Sequence, residues 1–121
     1  MDLHQLAATL KAQILTKGRP GARQPDRVVA SDRVSELLQL AGGDTLLLSA
    51  IPAAQLLRIA ELMDAPAICV IGDSPAGERL IATARGRGIA LLFRNGSVAE
   101  HLEQTGDPAP PDGKARNGGS V

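Results

Sequence analysis

Three short stretches of this chain are apolar almost throughout: "DTLLLSA" (44–50), "PAICVIG" (66–72) and "IALLF" (89–93). They narrow its possible folds more than any other feature. A strand with one face in water alternates apolar and polar residues, whereas a strand apolar at nearly every position needs both faces covered. Helical patterns lie between the three. "PAAQLLRIAELMD" (52–64) places Pro52 in its first turn, and "PAGERLIATARGRG" (75–88) runs to Gly88. Apolar strands alternating with helices specify a parallel sheet covered on both faces and joined by right-handed crossovers. The expectation is an α/β chain: one small domain with a mostly parallel sheet flanked by helices.

The rest of the chain extends this pattern. "DLHQLAATL" (2–10) sets Leu3, Leu6, Ala7 and Leu10 on one helical face, with Asp2 at its start. "AQILT" (12–16) reads as extended, and "KGRPGARQPD" (17–26) as a basic Gly/Pro loop. "RVVAS" (27–31) reads as a strand. Asp32 is then expected to cap a helix carrying Val34, Leu37, Leu38 and Ala41, ended by Gly42-Gly43. At the other end, Ser97 and Glu100 form a capping box for a helix over 97–104. Residues 105–121 hold three prolines and four glycines with almost no large apolar side chain. Such a segment buries too little surface to offset its ordering entropy. The predicted organisation is a domain over 1–104 and a disordered tail over 105–121.

Composition removes several functions. The chain has one Phe and no Tyr or Trp, so its core is aliphatic and it has no platform on which to stack bases. Thirteen basic residues balance thirteen acidic ones, so no net field draws it to nucleic acid or to an anionic membrane. Cys69, the one cysteine, sits inside an apolar strand and reads as a small buried hydrophobe. His4 and His101 lack metal-ligand spacing. No Ser, His and Asp arrangement suggests a nucleophile. No apolar run approaches the roughly 20 residues that span a bilayer, and the expected location is the cytoplasm.

The segment "GDSPAGER" (72–79) invites comparison with a phosphate-binding loop, since Gly72 and Gly77 stand five apart. A Walker loop, however, places Lys and then Ser or Thr after its second glycine. Here Glu78 and Arg79 stand in those places, and a carboxylate at the first of them repels phosphate. The plain reading is a strand-to-helix turn, with Ser74 as N-cap, Pro75 as first helical residue and Glu78 at the positive end of the helix dipole. The other reading is that the free amides of this helix start meet an anionic ligand. Ligands of open parallel sheets sit outside the strand C-termini. The residues expected there are Ser31, Asp32, Ser49, Gly72, Asp73, Ser74, Asn95 and Ser97, all of which also serve as caps or turns. Arg94 falls in the same loop. Arg85 and Arg87 in "ARGRG" (84–88) read as the favourable positive charge of a last helical turn.

Taken together, the run from "VVASDRVSELLQL" through "AICVIGDSPAGERLIATARGRGIALLF" to "HLEQ" resembles a stand-alone DRTGG domain over roughly residues 1–104. That family is similar in fold to the N-terminal domain of HPr serine kinase/phosphorylase. It also occurs as a regulatory module in some phosphate acetyltransferases and CBS-domain pyrophosphatases. The signature departs in two places. Ser49-Ala50-Ile51-Pro52 stands where the family often has a Gly-Asp-Arg run, and Ile71-Gly72-Asp73 where it often has Thr-Gly-Gly, so only Gly72 keeps its place. The resemblance implies a non-catalytic regulatory module that senses a small anionic ligand such as a nucleotide, or docks on a partner protein. It also implies a link to redox, hydrogenase or signalling systems. A homodimer is expected from the need to cover a sheet edge or helix face. No cofactor is indicated. Two alternatives remain: an enzyme acting on a phosphorylated metabolite, and a pure interaction adaptor.

Overall fold

The computed structural model describes residues 2–21 and 23–96, so the helix expected at 97–104 and the tail expected at 105–121 lie outside the described residues. The elements run α1 (Leu3–Leu10), β1 (Gln13–Thr16), β2 (Arg27–Ala30), α2 (Val34–Leu40), β3 (Thr45–Ser49), α3 (Ala53–Met63), β4 (Ala67–Gly72), α4 (Glu78–Arg87) and β5 (Ala90–Asn95). The five strands form one sheet in the order β1-β5-β4-β3-β2. Strands β2 to β5 are parallel, and β1 is antiparallel to β5. This is the small, mostly parallel α/β sheet that the apolar runs require.

The order of the strands decides where the helices go. From β2 to β5 each crossover moves one strand in the same direction, so crossovers of one hand place α2, α3 and α4 on the same face. Their buried residues Leu37, Leu56, Leu57, Ile59, Ala60 and Ala84 share a core with Val29, Leu47, Ile68 and Leu91 of the sheet. Helix α1 covers the other face, where Leu3, Leu6, Ala7 and Leu10 pack with Leu46, Leu48, Ala67, Cys69, Ile71, Ala90 and Leu92. Alternation along β3 therefore sends Leu47 to one core and its neighbours Leu46 and Leu48 to the other, and all three are fully buried.

Several element ends differ from the sequence reading. Helix α4 starts at Glu78 rather than at Pro75, with Gly77 in extended geometry as its N-cap and no side-chain cap. Ser74 is therefore not the cap: a glycine inside the first turn costs the helix about 1 kcal/mol, and the helix begins just after it. Helix α2 ends at Leu40, before the two glycines, because Ala41 turns extended. Arg27 donates from Nη2 to the Leu40 carbonyl at 2.6 Å, closing that helix end with a side chain from β2. Helices α1 and α3 end on Lys11 and Asp64 in the left-handed region, at φ 56° and 58°. Arg94 belongs to β5 rather than to the following loop. No helix of the described residues is long and apolar enough to cross a membrane.

Candidate functional site

The C-terminal ends of β2 to β5 form one rim, whose order follows from the sheet: Ser31 beyond β2, then Ser49, then Gly72, then Asn95. Ser49 pairs in register with Val70, and Gly72 with Asn95. Three strand spacings separate the ends of this rim, about 14 Å in all.

Its two halves differ. At the β2–β3 end the side chains hold one another. The Ser31 hydroxyl accepts from the Arg33 N–H at 2.9 Å and donates to Glu36. Asp32 does not cap α2, whose N-cap is Arg33 with no side-chain bond. Instead its Oδ1 accepts from the Ala50 N–H at 2.9 Å and from the Ser49 hydroxyl at 3.4 Å. The Ser49 hydroxyl in turn accepts from the Ile51 N–H at 3.2 Å. Asp32 thus ties the β2–α2 turn to the β3–α3 turn, and both serines, which are buried, are occupied by local turns. At the β4–β5 end, Asp73, Ser74 and Asn95 are exposed, and the Gly96 N–H meets the Gly72 carbonyl at 3.4 Å. The connection from β4 to α4 runs over 73–77 and leads to a helix start whose first amides have no partner within the helix. Ser97 lies outside the described residues. The structure therefore brings Ser31, Asp32 and Ser49 together, with the two serines buried and Asp32 exposed, and sets Gly72 beside them with the exposed side chains of Asp73, Ser74 and Asn95.

Among the described residues, the strand order of the sheet gives this rim no switch-point crevice. In open α/β sheets the ligand crevice forms where strand order reverses and helices leave on opposite faces. Between β2 and β5 the order never reverses. Among the described residues, recesses lie along the helices and at the opposite end of the sheet. A groove of about 520 Å³ runs between α3 and α4, lined by Ala54, Leu57, Arg58, Gly77, Arg79, Leu80, Thr83 and Arg87. A second recess of about 390 Å³ lies at the opposite end of the sheet, where Arg19 and Arg23 face Asp64 and the Arg87–Glu61 ion pair. Asp64 and Asp73 flank opposite ends of β4, about 20 Å apart for a six-residue strand, and cannot act as a pair.

The remaining chemical groups have structural roles. Burial pushes the Cys69 thiol up to about 12, against the opposing pull of Arg94, so Cys69 stays protonated. Arg94, 4% exposed, donates from Nη1 to the Leu10 carbonyl at 3.0 Å and pins the end of α1 to the sheet. His4 is exposed. Among the described residues no three His, Cys, Asp or Glu side chains cluster as metal ligands would. Sequence reasoning did not single out Arg58. It also took Arg79 only as the wrong residue for a Walker loop, although the i, i+4, i+8 spacing of Arg79, Thr83 and Arg87 marks one edge of a helix.

No family model matches the chain, and no curated protein matches it. One solved structure is similar in fold: the CBS and DRTGG domains of the regulatory region of Clostridium perfringens pyrophosphatase, complexed with its activator diadenosine tetraphosphate. The TM-score is 0.62 at 16% identity, over 86% of this chain and 46% of that one. The chain thus spans about half the length of its structural neighbour, and what the two share is a CBS/DRTGG-type fold.

Proposed function

We propose that this chain is a non-catalytic regulatory module that binds a small anionic ligand, with an adenine nucleotide as the first candidate, and passes its occupancy to a protein partner or a second copy. The observation that carries this reading is the fold likeness to a regulatory region complexed with a nucleotide activator. The rim supports it at one end only. Gly72, Asp73, Ser74 and Asn95 stand beside the uncapped start of α4, whose amides favour negative charge; Glu78 opposes an anion in that first turn, so the contact proposed is with the free amides and the Ser74 and Asn95 side chains. Ser31, Asp32 and Ser49 act behind them, fixing the neighbouring turns. In this proposal residues 1–104 form a DRTGG-like domain, 105–121 a tail, and the protein resides in the cytoplasm. A link to a redox or hydrogenase system rests on the family resemblance alone.

The test is a thermal-shift panel of AMP, ATP, diadenosine tetraphosphate, cyclic dinucleotides and phosphorylated sugars. A ligand at about 100 times its Kd adds about 2.7 kcal/mol, which raises Tm by about 10 °C in a domain of this size. A shift from a nucleotide that Ser74→Asp abolishes supports the proposal, because the added carboxylate repels an anion without touching the core. No shift from any compound overturns it.

A further inference from the structure

The groove between α3 and α4 exists because α4 is packed with small residues. Its one fully buried side chain is Ala84, and Leu80 and Ile81 remain only half-buried. Ala54, Leu57 and Leu80 supply apolar surface along the groove. Arginines border it on both sides. Arg58 stands on the α3 side. On α4, Arg79, Thr83 and Arg87 follow at i, i+4 and i+8, which sets the two arginines about 12 Å apart along the helix axis. Arg87 shares its charge with Glu61. Arg58 and Arg79 are exposed, and among the described residues neither has a hydrogen bond or ion pair through its guanidinium. One turn beyond Arg58, Leu62 is 70% exposed, the most exposed of the large apolar residues on the surface.

We propose that this groove docks an acidic amphipathic helix from a partner protein. Charge complementarity selects the occupant. The two arginines without a carboxylate partner among the described residues, Arg58 and Arg79, stand on opposite walls of an apolar strip, so they match carboxylates flanking the apolar face of a helix. The apolar strip between them matches side chains at i, i+3 or i+4, and i+7. A second copy of this chain does not supply such a helix from its described residues: α2, α3 and α4 carry one carboxylate each and α1 carries none. The docking surface runs from the first turns of α3 and α4 along both helices and does not depend on a ligand at the rim. It gives a regulatory module an output face.

The experiment is selection from a random phage library of peptides about 16 residues long, panned on the full chain and in parallel on an Arg58→Glu/Arg79→Glu variant. Circular dichroism first shows that the variant is folded. Enriched peptides are then titrated by fluorescence anisotropy and mapped by amide chemical shifts. The expected peptides combine helical apolar spacing with acidic residues flanking the apolar face, shift residues of α3 and α4, weaken as salt is raised from about 50 to 500 mM, and lose at least about tenfold in affinity on the variant. Selection without acidic enrichment, shifts confined to another surface, or equal affinity for the variant overturns the proposal. So does displacement of the peptide by a nucleotide whose own shifts fall in the groove, which would make it a small-molecule site. A nucleotide that shifts only the rim leaves the docking proposal standing, and the thermal-shift panel reports on that separately.

Discussion

Leu47→Ala tests the two-core arrangement where it is most specific. Leu47 lies in the middle of β3, fully buried among the residues of α2, α3 and the sheet. The substitution removes three carbons, about 2.4 kcal/mol of transfer free energy at about 0.8 kcal/mol per methylene. The hole it leaves is walled by a central strand and by helices tied to it, and so collapses little. A residual cavity of about 60 Å³ at about 24 cal/mol per Å³ adds about 1.4 kcal/mol. The expected loss is therefore about 4 kcal/mol, a large part of the total for a domain of this size. Leu48→Ala, one residue along but facing α1, should cost a similar amount, and Leu62→Ala, on the exposed face of α3, close to nothing. The assay is urea unfolding followed by far-UV circular dichroism, since the chain has no Trp or Tyr to report by fluorescence. The slope m should stay constant while the midpoint falls. A loss below about 1 kcal/mol at Leu47, or one equal to that at Leu62, would refute the packing described here.

Three further predictions follow from backbone and charge. Gly88→Ala should cost about 1–2 kcal/mol in urea unfolding, because Gly88 sits at φ +72° and a new Cβ there meets only the movable tip of Arg19; Gly18→Ala should cost more, because at φ +84° its Cβ would lie 3.0 Å from the Ala90 backbone nitrogen, which cannot move aside. The hydrogen bond from Arg27 holds the Asp44 carboxyl below its ordinary value of 3.8. A carboxyl lowered on folding contributes stability above its unfolded pKa and loses it as pH falls through the folded one, so an acid titration followed by circular dichroism should show Asp44→Asn flattening the decline below about pH 4. Cys69 gives the opposite sign. With its thiol raised from 9.0 to about 12 by burial, the unfolded chain ionises first, so stability should fall as pH rises from 9 towards 12, Cys69→Ser should remove that slope, and a thiol reagent should label native protein only as fast as it opens.

The parts of the fold that were legible in the sequence are those decided by local pattern. The continuous apolar runs of β3, β4 and β5 required burial on both faces, and the stripe Leu3, Leu6, Ala7, Leu10 marked α1 with its inner face. Helix ends set by contacts distant in sequence were not legible. Arg27 closes α2 from another strand, and Lys11 and Asp64 take left-handed conformations that no glycine announces. The same distinction explains the site. Ser31, Asp32 and Ser49 stand out in the sequence as polar residues at strand ends, but only the folded chain shows Asp32 bonded to the Ala50 amide 18 residues away, which makes it a brace for two turns rather than a cap of α2. Strand order was the largest missing piece. The alternation of strands and helices fits a sheet whose order reverses as well as one whose order does not, and only the first has a crevice at its rim. Because β2 to β5 advance in one direction, three helices share a face, and the recess opens between two of them, where Arg58 and Arg79 belong to different βα units and no spacing in the sequence pairs them. The rim and the groove meet at the starts of α3 and α4, where Ala54, Gly77 and Arg79 line the groove, so a ligand at one can influence a partner at the other through these helix starts. Ser74→Asp at the rim and Arg79→Glu in the groove lie five residues apart, yet the first should change ligand affinity and the second peptide affinity. If each changed both, the two sites would be coupled through the start of α4.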